Sequence, residues 1–197
     1  MEDPTTSPDA DLLRRIGAGD VDAVGALYDR YASTLFPLAL RIVRDRAEAE
    51  DLVHDAFVTV SDRAAQYSPE RGSVVAWLVT LVRNLSIDRM RRRDRRGALG
   101  RDVVAFEPSA VVGSPEDLTV VADERSRVRR ALATLPEVQR ATLEVAFFEG
   151  LTYAEIAARE NVPLGTIKSR AARALMALRE ALAHESVDYG QLAARRK

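Results

Sequence analysis

Thr166, Lys168, Ser169, Arg170 and Arg173 fall on one polar face of a helical pattern whose opposite face is apolar. Cations and hydroxyls in that arrangement are hydrogen-bond donors, suited to phosphate oxygens and to the acceptor-rich edges of bases. A second basic group, Arg89, Arg91, Arg92 and Arg93 in DRMRRRDRR, follows Asn84 and Asp88 on a helix that begins after the turn SPERGS. Such a cluster can hold a phosphate backbone, and the turn with Tyr67 could receive an unstacked base. The competing reading is a basic helix end that complements the helix dipole. A third group is acidic: Glu48, Asp51, Asp55 and Asp62 follow helical spacing opposite an aliphatic stripe. That ridge suits a basic protein partner or is a solvated face. Asp51 and His54 also have the spacing of a metal-ligating pair, but a di-iron site needs the pair repeated on another helix. The other histidine, His184, stands outside any comparable pair, so neither a metal nor a cofactor is expected.

These groups need rigid supports. In GLTYAEIAARENVPLGTIKSR, residues 150–170, Thr152 and Glu155 have capping-box spacing, and Ile156 and Ala157 point inward. Asn161 tolerates the left-handed conformation of a sharp turn, and Val162 can plug the corner. Beyond Pro163, Ile167, Ala171, Ala174, Leu175, Leu178 and Leu182 form the inner face of a second helix. The pattern predicts a helix-turn-helix, in which the first helix braces the second so that its polar face can enter a major groove. The alternative is an ordinary helical hairpin with a solvated basic face.

Elsewhere the chain reads as helices, with no convincing strand. Asp11 to Ile16 can form a short helix, and Asp20 caps a longer one whose buried stripe is Val24, Leu27, Tyr28, Tyr31, Leu35, Leu38 and Ile42. Pro37 lies inside it and predicts a kink. Ala49, Leu52, Val53, Ala56, Phe57 and Val60 make a second stripe, and Val74, Leu78, Leu81 and Leu85, with Trp77 beside them, a third. Periodicity disappears from Gly97 to Gly113. Ser114, Pro115 and Asp117 then signal a helix start, followed by a stripe of Leu118, Val121, Val128, Leu132 and Leu135. A further helix runs from about Pro136 to Phe148 and ends at Gly150. The expected fold class is all-α, with two small helical domains at 10–96 and 114–183, a flexible linker at 97–113 and a polar tail at 184–197.

Composition narrows the function. The chain has 197 residues, 47% hydrophobic and 30% charged, with no cysteine, which excludes disulfides and thiolate metal sites. Its first residues are acidic and polar, and no apolar run approaches the roughly 18 to 20 residues that span a bilayer. A cytoplasmic protein without membrane insertion is expected. Its 29 basic and 30 acidic residues leave a net charge of -1, which argues against nucleic-acid binding by bulk electrostatics. Any DNA contact must come from local patches.

AEDLVHDAFVTV, then YSPERGSVVAWLVTLVRNLSIDRMRRR, then LPEVQRATLEVAFFEGLTYAEIAARENVPLGTIKSRAARAL, resemble a bacterial RNA polymerase sigma factor of the extracytoplasmic-function group, in the sigma-70 family. The similarity runs from about Asp11 to Leu182 in the expected order. It implies a two-domain subunit that binds core RNA polymerase and directs it to promoters, without catalysis of its own. The first domain would match sigma region 2. There Glu48, Asp51, Leu52, His54 and Asp55 would contact the clamp helices of the largest polymerase subunit. Tyr67, Ser68, Arg71, Asn84 and Asp88 would form the pocket for a flipped base of the downstream element, while Arg89, Arg91, Arg92 and Arg93 hold phosphates. The second domain would match region 4, meeting the upstream flap and reading the upstream element through Thr166, Lys168, Ser169, Arg170, Ala172 and Arg173. An anti-sigma factor would control the whole.

Two departures stand out. Ser61 occupies a position where many relatives carry tryptophan, and Ala172 one that can hold a larger base-facing side chain. Two other readings remain open: a polymerase-independent helix-turn-helix regulator of LuxR type, and a helical metalloenzyme built on Asp51 and His54.

Overall fold

The structure, a computed structural model, describes residues 7–95 and 126–194, with side chains described as far as Ala183. The chain divides into two compact units, Met1–Gly113 and Ser114–Lys197. Every regular element among the described residues is helical. The expected linker at 97–113 and the helix start at Ser114, Pro115 and Asp117, with Leu118 and Val121, lie outside the described residues.

The first unit contains α1 (Pro8–Gly17), α2 (Val21–Val43), α3 (Arg46–Arg63) and α4 (Val74–Arg95), with 3₁₀ turns at Ala64–Gln66 and Pro69–Arg71. Side-chain caps set the starts of α1 to α3. Ser7 accepts from the Asp9 amide, Asp20 from Asp22 and Ala23, and Asp45 from Glu48. Each satisfies an amide that has no intrahelical partner. Hydrogen bonding to Arg15, then to the Ala23 amide, holds the Asp20 carboxyl below its ordinary range. Asp9 in turn ties α1 to α2 through the Arg30 guanidinium and the Tyr31 hydroxyl.

Helix α2 is the central element, packed against α1, α3 and α4. It carries Leu27 and Leu35 into a core shared with Leu52 of α3 and Leu78 and Val82 of α4. Fully burying one such leucine contributes roughly 1.5 to 3 kcal/mol. Pro37 lies within α2, and the helix continues through it to Val43. Proline can donate nothing to the Ser33 carbonyl, so one rung of the ladder is lost without ending the helix. Tyr28, expected in the buried stripe, is 38% exposed and meets Phe57 edge-on, with ring centroids 5.0 Å apart.

The second unit contains a helix α5 at 126–133, then α6 (Glu137–Glu144), α7 (Tyr153–Glu160) and α8 (Leu164–Ala194). α6 runs into a π-helical turn, Val145–Glu149, which closes on Gly150. Gly150 has φ 66°, a left-handed conformation in which a side chain is strained. α8 packs on α6 and α7. Val128, expected to be buried, is 43% exposed, and Ala131 and Leu135 are buried in α5 and the turn after it. Past Leu182, where the apolar stripe ends, α8 continues as helix to Ala194.

Candidate nucleic-acid interface

The turn between α7 and α8 forms as its residues dictate. Thr152 accepts from the Glu155 amide at 3.2 Å while the Glu155 carboxylate accepts from the Thr152 amide at 2.6 Å, completing the capping box. Asn161 sits at φ 53°, and the Val162 amide bonds back to the Ala157 carbonyl at 3.1 Å. Ile156, Ala157 and Ile167 are buried together, with Val162 packed against them. On α8, Ile167, Ala171 and Ala174 face inward, whereas Leu175, expected inward, is 52% exposed, as is Met176 at 64%. The inner strip of α8 is therefore narrower than its run of apolar residues, because small alanines, not leucines, meet the bracing helices.

Lys168, Ala172 and Arg173 are exposed on α8, and Thr166 and Ser169 are half-buried beside them. Arg170 is placed differently: its guanidinium pairs with Glu160 of α7 at 2.7 Å and fastens the two helices together. α6 contributes to the same surface. Val138 and Gln139 join Gly165, Thr166, Ser169, Arg170 and Arg173 around a hollow of about 400 Å³.

In the first unit, the turn before α4 is closed by the Tyr67 hydroxyl, which donates to the Gly72 carbonyl at 3.1 Å. Gly72 has φ 134°, a conformation open to glycine and strained for other residues. The Tyr67 ring stands edge-on to Trp77, centroids 6.1 Å apart. The Ser68 hydroxyl donates to the Glu70 carboxylate and holds its pKa down. Arg71 is exposed beside it. Asn84 and Asp88 are exposed one turn apart on α4, and Asn84 accepts from Arg83 at 3.0 Å. Burial, then the nearby Arg91 charge, lowers the pKa of the Arg83 guanidinium.

The acidic ridge on α3 and the basic end of α4 lie against each other. Arg89 pairs with Asp55 at 3.1 Å and Arg93 with Glu48 at 3.1 Å. Arg93 also donates to the Val43 carbonyl at the end of α2, at 3.1 Å. Both of these arginines thus neutralise carboxylates of the ridge. Arg91 and Arg92 remain exposed. Asp51 and His54 are exposed on the ridge, but Leu52 is only 2% exposed. Leu52 is a core residue that supports the ridge from below, which corrects the expectation of a surface contact there. Ser61 turns its hydroxyl onto the Phe57 carbonyl at 3.3 Å.

Four residues of these surfaces carry no role in the sequence reading. Arg83 and Trp77 flank the downstream group, Val58 is 56% exposed within the acidic ridge, and Gln139 stands beside the reading helix. Val58 had a usable signal, an apolar side chain at i+3 from Asp55 on the polar side of α3. Gln139 had none, since its proximity to α8 arises from tertiary packing.

A capped helix-turn-helix with an outward basic face, separated in the chain from a helical unit bearing a second basic group, places the chain among two-part all-helical proteins built around a helix-turn-helix. The family description "Sigma-70 region 2" matches residues 27–96, and "Sigma-70, region 4" matches residues 125–178. The ECF RNA polymerase sigma factor SigK of Mycobacterium sp. (strain KMS) is 34% identical over 180 residues, covering 91% of this chain and 93% of that protein. The protein of that name from Mycobacterium tuberculosis (strain CDC 1551 / Oshkosh) is 35% identical over 187 residues, covering 91% and 96%. Among solved structures, Rhodobacter sphaeroides SigE in complex with the anti-sigma ChrR is 32% identical, covering 91% of this chain and 99% of that one, with a TM-score of 0.44. The chain belongs to the extracytoplasmic-function sigma factors of RNA polymerase.

Proposed function

We propose that this chain is the promoter-selecting subunit of a bacterial RNA polymerase, working in the cytoplasm, and that it performs no chemistry of its own. The polymerase carries out phosphoryl transfer, while this chain supplies address and strand capture. The observation that carries the reading is the α7–α8 corner, locked by a completed capping box and the left-handed Asn161, with Lys168 and Arg173 presented outward. In the division of labour, 10–96 engages polymerase and the downstream element, and 114–183 reads the upstream element.

Asp51 and His54, exposed on α3, form the face offered to the clamp helices of the largest subunit. The turn from Tyr67 to Ser73, with Asn84 and Asp88, receives a base extruded from the non-template strand. Capturing it offsets an unstacking cost of a few kcal/mol. Arg91 and Arg92 then hold the adjoining phosphates. Arg89 and Arg93 do so only by leaving their carboxylate partners on α3. The second domain meets the upstream flap, and an anti-sigma factor masks the polymerase-facing surfaces until a signal releases them.

Net charge of -1 fits this arrangement. Two modest DNA sites become selective when a large enzyme holds both, because the second contact then forms at a high effective concentration. Run-off transcription with purified core enzyme across genomic fragments tests the proposal. Discrete transcripts that depend on the chain are expected; core enzyme giving the same products with and without it would overturn the reading.

A further inference from the structure

We propose that the hollow between α6 and α8 holds one backbone phosphate of the promoter duplex, and that Gln139 of α6 is a DNA contact outside the reading helix. The inference rests on the sigma-factor reading and assigns a ligand to one part of that surface. Gln139, Thr166, Ser169 and Arg173 all line the hollow, and their side chains bring an amide, two hydroxyls and a guanidinium to it. Among the described residues, none of these side-chain donors has a partner within the protein. Among the described residues that line the hollow there is no carboxylate, and Glu160 of α7 is already taken by Arg170 at 2.7 Å.

A group that offers acceptors alone and carries negative charge meets that set of donors, and a phosphodiester is such a group. Val138, 56% exposed at the rim, gives the adjoining deoxyribose an apolar surface. Lys168 and Ala172 do not line the hollow and lie on another strip of α8. The two strips therefore divide the work. The strip facing α6, including Arg173, fixes register on the backbone, and the strip with Lys168 meets base edges. Arg173 is thus a phosphate ligand, not a reader of sequence.

The test uses holoenzyme reconstituted from full-length chain and core polymerase, with a promoter duplex recovered by run-off transcription. Single uncharged methylphosphonates are placed in turn at each phosphate of the upstream half, and affinity is measured for wild type, Gln139→Ala and Arg173→Ala. Gln139→Ala is expected to weaken binding of the unmodified duplex roughly 3- to 10-fold, equally on duplexes of altered upstream sequence. At one phosphate the methylphosphonate weakens wild type strongly and both variants much less. Effects that multiply independently at every phosphate, with promoter binding otherwise intact, overturn the phosphate site. Holoenzyme that binds no promoter duplex at all overturns the sigma-factor reading on which it rests. Matching circular dichroism melts for the variants and wild type establish that an affinity loss is not a folding loss.

Discussion

Arg93 of α4 donates to the Glu48 carboxylate in the first turn of α3 at 3.1 Å, and the same guanidinium holds the Val43 carbonyl at the end of α2. One side chain therefore joins three helices at a corner where a carbonyl would otherwise lack an intrahelical partner. Both members of the pair are 29% exposed, so the contact is partly sheltered from solvent. Arg93→Ala is expected to lower the stability of the first unit by about 1 to 2 kcal/mol, read from urea unfolding. A variant as stable as wild type that has lost DNA affinity alone would return Arg93 to phosphate binding.

Asp51 and Leu52 are adjacent in sequence and opposite in environment. Asp51→Lys is expected to weaken association with core polymerase while leaving the melting temperature unchanged. Leu52→Ala is expected to cost about 2 to 5 kcal/mol of stability through the cavity it leaves. Equal polymerase affinity for Asp51→Lys and wild type, measured by titrating core enzyme, would remove the clamp-facing role from this face.

Lys168→Ala should cost roughly 1 to 3 kcal/mol of promoter affinity and relax preference at one position of the upstream element. Selection from a randomised upstream element reads this directly. An unchanged preference would place Lys168 on the backbone.

The α7–α8 corner depends on its cap. Thr152→Ala is expected to destabilise the second unit by about 1 kcal/mol, because the Glu155 amide loses its acceptor. Thermal unfolding of the chain, followed at 222 nm, checks the shift. Promoter binding should fall with it, since the bracing helix positions the reader.

Acid should act on the first unit through Asp20. Its folded-state pKa is depressed by Arg15 and the capped amides, so it contributes stability that is fully present above the ordinary carboxylate range. That contribution is lost as pH falls through the folded value, below the ordinary range. Asp20→Asn is therefore expected to be less stable than wild type at neutral pH, with the difference shrinking in strong acid. A gap that stays constant from neutral pH down to full protonation would contradict this assignment.

The helix-turn-helix was legible because its determinants are local. The interactions of Thr152 with Glu155, and of Val162 with Ala157, span only a few residues, so composition and spacing carry them. The core leucines of α2 to α4 were legible for a similar reason, their period being that of the helix. The width of a buried face was not. Tyr28, Val128 and Leu175 continue an apolar pattern yet lie exposed, because coverage is set by the partner helix and not by the helix itself. The ion pairs of Arg89 and Arg93 join residues 34 and 45 positions apart, a distance at which charge patterning gives no signal. The sequence reading consequently assigned to two separate ligands residues that the fold pairs with each other.

The most direct test of the account is the affinity of a fluorescently labelled promoter duplex for the chain, measured with and without core polymerase. Weak, salt-sensitive and poorly selective binding by the chain alone, converted to tight and sequence-specific binding when core enzyme is present, is the predicted result. Equal promoter affinity in both conditions, or no association between chain and core enzyme, would contradict it.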